Sequence, residues 1–135
     1  MKFREKEPIE RLIQKKPVAT MRNYAYQCGN YVNLELISDE YYIGKAEILA
    51  VFKNLEIFRK LTWKMSGYPS VEAWEEAGFR QSFNKRLPQF IIIIKPIFIQ
   101  RVAEIPEEQT DFRRADELIE EDLRFDVDIN STSQD

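Results

Sequence analysis

Thr20 and Arg22 are the residues of this chain whose types and spacing best suit binding chemistry. They lie two positions apart in segment 18–22, whose pattern predicts a strand, so their side chains should point to the same face. A guanidinium can hold a phosphate or carboxylate through two parallel hydrogen bonds, and a threonine hydroxyl can bind the edge of a base. The pair therefore predicts a ligand cleft. The alternative is an ion pair at a rim of the fold, with Glu47 as the partner of Arg22.

Three lysines and two tyrosines are candidates to extend such a cleft. Lys15 and Lys16 end a predicted helix, where cations also complement the helix dipole, and Lys45 lies on a later strand. Together with the guanidinium they can form a phosphate-binding rim. Tyr24 and Tyr26 follow the first strand, where exposed aromatic rings stack on bases or, alternatively, pack against the core.

Several kinds of chemistry are excluded by composition. The chain has no histidine, and Cys28 is its single cysteine. It therefore has no histidine general base, no disulfide of its own and no tetrahedral zinc site built from nitrogen and sulfur ligands. Glu72, Glu75 and Glu76 offer adjacent carboxylates, but adjacent acids on a short helix are usually solvated. We expect no metal and no cofactor, and we expect Cys28 to be inert.

Length and hydropathy predict one domain in the cytoplasm. The 135 residues are enough for one core and too few for two ordinary domains. Apolar residues make up 44% of the chain and charged residues 32%, which is a globular composition. The longest apolar run, 90–94, is too short to span a bilayer, and the first residues are charged instead of forming an apolar signal sequence.

Apolar periodicity predicts the elements that must position these residues. A short N-terminal helix precedes three strands, which we expect to pair in chain order as a meander. Gly44, in the third strand, predicts a bulge or a close backbone approach. The helix and the three strands are predicted over 8–16, 18–22, 31–36 and 41–51.

A helical insert over 55–81 separates these strands from the last one. Thr62 and Ser70 are its predicted helix N-caps. Its large apolar side chains should pack in the core: Phe58, Leu61, Trp63, Trp74 and Phe79. The β-branched run 89–95 then predicts a strand buried on both faces. Pro96 either bends this run within one long strand or ends it before a hairpin partner.

Charge divides the chain into a basic body and an acidic tail. Residues 104–135 hold 12 Asp/Glu and 3 Arg, a net charge of −9, whereas residues 1–103 hold 17 Lys/Arg and 11 Asp/Glu, a net charge of +6. We therefore expect a domain at 1–103 and an appendage at 104–135, within which Asp111–Leu123 has the spacing of a helix. The tail can cover the basic cleft, contact a protein partner or keep the chain soluble.

Four short motifs follow one another within residues 3–102. They are KPVATMR at 16–22, YQCGNYV at 26–32, IGKAEI at 43–48, and LT followed by GYPSVE within 61–72. In order and spacing this set resembles the ASCH family of PUA-like barrels. The resemblance implies an α+β fold, with a small β-barrel of five or six mostly antiparallel strands and helices at its rim. It also implies a cleft beside the first strand that binds RNA or a nucleoside.

Some members of that family remove the acetyl group from acetylcytidine with a lysine, a threonine and an acidic residue. Thr20 matches the threonine, but Pro17 stands at the lysine position unless a one-residue shift brings Lys16 there, and Ser66 stands at the acidic position. We therefore expect a non-catalytic module that binds RNA or a nucleotide. The alternatives are an amidohydrolase of modified nucleosides that uses Lys16 and Thr20, and a protein-interaction adaptor that docks through Asp111–Leu123.

Overall fold

Five strands form one curled, half-barrel sheet in the computed structural model, which describes residues 1–82 and 86–102. The strands are β1 Lys2–Phe3, β2 Val18–Arg22, β3 Tyr31–Ile37, β4 Tyr41–Lys53 and β5 Phe90–Arg101. They lie in the order β1-β3-β4-β5-β2, and every pair is antiparallel except β1 with β3. Met1–Val102 is one compact unit. The predictions for 104–135, including the acidic helix, lie outside the described residues.

The predicted meander of the first three long strands is wrong. β3 and β4 do pair through the predicted turn, but β2 pairs with β5, so that Val18 lies opposite Ile94 and Arg22 opposite Phe90. Periodicity identifies a strand but not its partner, because pairing across a sheet depends on contacts between distant parts of the chain. As a result β2 is an edge strand and β1 forms the other edge.

β5 is one long strand and not a hairpin. Pro96 lies within it opposite Ala46, and the register between β4 and β5 shifts between Lys45 and Ala46. Because proline has no N–H to give to a ladder, an irregularity beside it is expected. Gly44 directly precedes the shift, and a Cβ there would collide with the carbonyl oxygen of Phe98. The prediction of a close backbone approach at Gly44 is confirmed.

Three α-helices accompany the sheet in the described part of the chain: α1 Lys6–Ile13, α2 Glu56–Thr62 and α3 Val71–Arg80. α1 starts and ends earlier than predicted. It ends where Lys15 adopts a left-handed conformation with a φ of 62°, and the N–H of Lys16 donates to the carbonyl of Arg11. No helix within 1–82 and 86–102 is both long and apolar enough to cross a membrane.

The two faces of the sheet bury separate apolar clusters. The first cluster packs against α1, and the second cluster packs against the insert that contains α2 and α3. Ile92 and Ile94 belong to the first cluster and Ile91 and Ile93 to the second, which confirms burial on both faces for the centre of the predicted run, whereas Gln89 and Lys95 at its ends are exposed. The residues of β2 alternate in the same way. Val18 belongs to the first cluster, whereas Ala19 and Met21 belong to the second.

The helical insert was predicted in its position and only partly in its packing. Trp74 is buried, and Trp63 and Phe58 pack against the second cluster. Leu61 and Phe79 are 71% and 47% exposed, so their predicted core positions are wrong. The two residues lie close in sequence to the buried apolar residues of the insert. Their side chains, however, are not on the side of the helices that faces the sheet.

The insert's two predicted caps also differ. Ser70 caps α3 by accepting a hydrogen bond from the N–H of Ala73, as predicted. Thr62 instead donates to the carbonyl of Phe58 and ends α2, and a 3-10 turn, Trp63–Met65, follows it. A threonine hydroxyl can bond the preceding turn as easily as it caps the next one, so the sequence pattern does not distinguish the two.

Candidate functional site

A cavity of about 520 Å³ lies at the gap between the two edge strands, which we call the seam. One wall is the segment 2–5, which includes β1, and the opposite wall is 19–22 of β2. The insert completes the cavity through Ser66 and Tyr68 and through residues of α3. The segment that was predicted to carry the ligand cleft therefore borders a cavity of ligand size.

β2 presents both its side chains and its backbone to this cavity. In the described residues β2 is bonded only to β5, so every second residue turns its N–H and C=O away from that ladder. Thr20 and Arg22 lie on one face of the strand and Ala19 and Met21 on the other, and all four line the cavity. A ligand at the seam therefore meets the edge of the strand, with polar groups on one side and apolar groups on the other.

Arg22 spans the seam. Its Nε donates to Oγ1 of Thr20 at 3.2 Å, and its Nη2 donates to the carbonyl oxygen of Lys2 at 2.8 Å. The guanidinium carbon also lies 4.6 Å from the centroid of the Phe3 ring, which is a cation–π distance. Within residues 1–82 and 86–102 Arg22 has no carboxylate partner, so the alternative pairing with Glu47 is not formed.

Among the described residues, the half-buried guanidinium of Arg22 has only neutral partners. Burial lowers the pKa of Arg22 from its ordinary value, and the nearby Tyr26 partly opposes that shift. The group nevertheless stays protonated, because an arginine pKa lies far above neutral pH. A partly desolvated charge without a counter-ion is unfavourable. The fold has already desolvated part of this guanidinium. An anion that entered the cavity would therefore pair with it without that desolvation having to occur on binding.

The remaining charges at the cavity give it a positive balance. Lys2 and Arg4 also line it, and the exposed ammonium of Lys2 lies 3.8 Å from Glu35. Such an exposed pair contributes little and is screened by salt. In the described lining the one carboxylate is that of Glu5, and it accepts a hydrogen bond from Arg80 Nη2 at 2.9 Å. The cations of the cavity are therefore not neutralised by the acid beside them.

Ser66 holds the insert in place and is not available for chemistry. It is fully buried, its Oγ donates to the carbonyl of Trp63 at 2.5 Å, and the same oxygen accepts from the N–H of Tyr68 at 3.1 Å. Gly67, between them, has a φ of +90°, and a Cβ there would lie 2.6 Å from the carbonyl oxygen of Glu7. This turn therefore fixes Tyr68 against the segment that follows β1.

Tyr68 connects the insert to Glu5. Its hydroxyl donates to Glu5 Oε1 at 3.4 Å, and the same oxygen accepts from Arg80. Burial and the nearby carboxylates of Glu5 and Glu7 raise the pKa of Tyr68 above its ordinary value. The tyrosine is therefore neutral at physiological pH and serves as a hydrogen-bond donor at the wall of the cavity.

The predicted site residues divide into two that line the cavity and five that do not. Thr20 and Arg22 line it together. The five that are not among its lining residues are Lys15, Lys16, Tyr24, Tyr26 and Lys45. Lys15 and Lys16 are exposed at the end of α1, and Lys45 lies on β4 opposite Asn33 and Phe98. The structure does not bring Lys16 to the cavity beside Thr20.

The two tyrosines after β2 lie near the seam. Their rings meet edge to face, with centroids 5.0 Å apart and planes at 86°. Tyr24 is 69% exposed, whereas Tyr26 is half-buried against the first cluster and close enough to Arg22 to affect its pKa. The exposed ring of Tyr24 thus packs against the half-buried ring of Tyr26.

Sequence reasoning missed the N-terminal wall of the cavity. Lys2, Arg4 and Glu5 lie in a run of alternating charges that is typical of a solvated chain start. β1 has only two residues, which is too short for any periodicity to reveal it. Only a sequence pattern that marked 2–3 as the strand pairing with the edge of β3 could have revealed this wall. The sequence contains no such pattern.

The described residues hold no obvious metal site, and comparison with known proteins gives no match. Among residues 1–82 and 86–102, no three His, Cys, Asp or Glu side chains lie together in a group that could hold a metal ion. No protein-family model, no curated protein and no solved structure matches this chain. The features that bear on function are therefore the four motifs and the geometry of the seam.

Proposed function

We propose that this domain binds RNA or a nucleotide, and that the ligand enters the cavity at the seam. The observation that carries the proposal is the half-buried guanidinium of Arg22, which faces the cavity without a carboxylate partner among the described residues. The volume of about 520 Å³ falls in the range of about 300–1,000 Å³ that is usual for small-molecule sites.

The walls of the cavity supply what a nucleotide needs. Thr20 and the outward N–H and C=O groups of β2 offer donors and acceptors for a base edge. Met21 and the buried Trp74 add an apolar surface on the other side of the strand. For a longer single strand, the exposed ring of Tyr24 is a stacking surface close to the seam.

The resemblance to the ASCH family supports the same choice of ligand. That resemblance implies a cleft beside the strand that carries Thr20 and Arg22, and the cavity borders this strand. We propose on this ground that the half-barrel is PUA-like. The +6 net charge of residues 1–103 is consistent with a polyanionic partner.

Fluorescence anisotropy of a labelled single-stranded RNA tests the proposal with the full chain. We expect binding that weakens between 50 and 200 mM salt, because phosphate contacts release counter-ions. Arg22→Gln should weaken it at least about tenfold, since a hydrogen bond to a charged group is worth roughly 1.5–3 kcal/mol.

Arg101→Gln is the matched control for this experiment. Arg101 also carries one positive charge, but it pairs with Glu40 at 2.7 Å and does not line the cavity. We expect its effect on RNA binding to stay below about twofold. Equal losses for the two variants, or the absence of salt-sensitive binding, would refute the proposal.

An amidohydrolase of modified nucleosides is the second candidate. The observation in its favour is that Thr20 and Lys2 line the same cavity, although Lys16 does not. Incubation with acetylcytidine, followed by chromatography, decides it. Deacetylation that is lost in both Thr20→Val and Lys2→Met would support this activity, and unchanged substrate at high protein concentration would end it.

A further inference from the structure

We infer that the ligand of the seam carries a phosphate group held by Arg22, so that a nucleotide is bound in preference to the neutral nucleoside with the same base. This inference rests on the proposed function and makes it more specific. It departs from the acetylcytidine chemistry that the family resemblance implies, because that substrate is uncharged. Its basis is the distribution of charge and of unused hydrogen-bond donors around the cavity.

The charge balance of the lining favours an anion. Lys2, Arg4 and Arg22 line the cavity, whereas Glu5 is its one acidic lining residue in the described chain. That carboxylate is already bonded to Arg80. A neutral nucleoside would leave the desolvated guanidinium without a counter-charge, and a phosphate would supply one.

The guanidinium of Arg22 keeps donors for such a group. Arginine has five N–H donors in a planar fork, of which one on Nε is used by Thr20 and one on Nη2 by the carbonyl of Lys2. The described residues provide no acceptor for the N–H groups of Nη1. The remaining donors suit the bidentate geometry in which arginine binds phosphate oxygens.

Thr20 adds a donor directed by its neighbour. Its Oγ1 accepts the hydrogen bond from Arg22 Nε, so the hydroxyl hydrogen stays available for another acceptor. Thr20 is nearly buried, and it precedes Arg22 on the same face of β2. The oxygens of one phosphate can therefore accept hydrogen bonds from both Arg22 and Thr20. A base edge, on which donors and acceptors alternate, matches these two donors less well.

The apolar part of the cavity argues for an organic phosphate over the inorganic ion alone. Met21, Trp74 and Ala77 line it as well, and apart from the indole N–H of Trp74 their side chains offer no group that binds a phosphate oxygen well. A cavity of about 520 Å³ is also far larger than one phosphate needs. A ring attached to the phosphate would occupy this apolar part.

Isothermal titration of the full chain with four ribonucleosides and their 5′-monophosphates tests the inference. We expect at least one monophosphate to bind about tenfold or more tightly than its nucleoside at pH 7.5. Inorganic phosphate should compete with that monophosphate but not with the nucleoside. The preference should fall as the pH is lowered through about 6, where the phosphate loses its second charge.

Three variants show whether Arg22 is responsible for the preference. Arg22→Gln should remove the difference between monophosphate and nucleoside, and Arg22→Lys should retain part of it because the charge stays and the fork is lost. Arg101→Gln should behave as the wild type. Thermal unfolding of each variant checks that it is folded. If Arg22→Gln does not fold, Thr20→Val replaces it. We expect Thr20→Val to show a severalfold smaller preference for the monophosphate over the nucleoside.

The outcomes separate this inference from the proposed function. Equal affinities for nucleoside and monophosphate would overturn the inference while RNA or nucleotide binding stood. Binding of RNA without binding of any monophosphate would also overturn it. If neither RNA nor any mononucleotide bound, both the inference and the proposed function would be wrong.

Discussion

Arg59 and Arg22 are both arginines withdrawn from solvent, but they have different partners. Arg59 joins α2 to α3 through a hydrogen bond of 2.7 Å from its Nε to Oε2 of Glu75, and the two side chains are 13% and 26% exposed. Its Nη1 also donates to both oxygens of Asn54, the residue that follows β4. Arg22 instead has a hydroxyl, a backbone carbonyl and an aromatic ring around it.

The difference indicates which of the two arginines is structural. The fold supplies a counter-charge to Arg59, and its donors are directed to groups that hold the insert against the sheet. The described residues supply no counter-charge to Arg22, although its hydrogen bonds to Thr20 of β2 and Lys2 of β1 keep it in place. A charge that the fold positions but does not neutralise is the arrangement expected of a group that binds a ligand.

The largest expected effect concerns the paired arginine. Glu75→Ala leaves Arg59 partly buried without its counter-charge and should lower the free energy of unfolding by about 2–3 kcal/mol, somewhat less than for a fully buried pair. Arg22→Gln should lower it by only about 1 kcal/mol, because it removes hydrogen bonds to neutral groups. Urea unfolding followed by circular dichroism measures both values.

The double variant Arg59→Met, Glu75→Leu serves as a control for that comparison. It removes both charges together and should recover most of the lost stability. If Arg22→Gln proved as destabilising as Glu75→Ala, the two arginines would have the same structural role, and the contrast between them would fail.

A smaller effect is expected at the end of α1, outside the cavity. Lys15→Gly should raise the free energy of unfolding by about 0.5 kcal/mol, because glycine adopts the left-handed conformation of this position without a steric penalty. Nucleotide affinity should not change, since Lys15 does not line the cavity. Lower affinity in this variant would return Lys15 to the binding surface and weaken the central role of Arg22.

The smallest effect is an alkaline dependence at the wall of the cavity. The pKa of Tyr68 is raised in the folded state, so this tyrosine loses its proton in the unfolded chain first, at a pH of about 10. Its contribution to stability is complete below that pH and declines as the pH rises further. Because Tyr68 is only half-buried, the decline should be a fraction of the ~1.4 kcal/mol per pH unit that one proton is worth.

Urea unfolding at pH 8 and pH 10.5 measures this decline. Tyr68→Phe should lose less stability between the two pH values than the wild type does. Tyr31→Phe, at an exposed tyrosine on β3, should match the wild type. A wild-type loss that Tyr68→Phe leaves unchanged would mean that Tyr68 is not the group responsible, and that its bond to Glu5 does little to hold the wall of the seam.

Local features of this fold were predictable from sequence, and distant pairings were not. β2 was predicted over the residues it spans, and β3 and β4 to within two residues, because alternation of side chains is a property of the strand itself. The same alternation placed Thr20 and Arg22 on one face. The partner of β2 could not be inferred, because the 67 residues between the two strands hold no pairing signal.

The candidate site was limited by the same distinction. Lys16 is close to Thr20 in sequence, but the turn at Lys15 leaves it outside the cavity lining. Lys2 is far from Thr20 in sequence and lines the same cavity, because the curl of the sheet brings β1 opposite β2. Proximity across a sheet edge is a property of the closed fold, which a single sequence does not contain.

The contact between Arg22 and the Lys2 carbonyl sets how far the cavity can widen. In a closed barrel, moving two adjacent strands apart would break a whole ladder of backbone hydrogen bonds. Here the hydrogen bond recorded across the seam within the described residues is the one from Arg22, whose loss we expect to lower the free energy of unfolding by about 1 kcal/mol at most. Widening the gap between β1 and β2 would therefore break this hydrogen bond and the contact of Arg22 with the Phe3 ring, while the ladders of β3, β4 and β5 stayed intact.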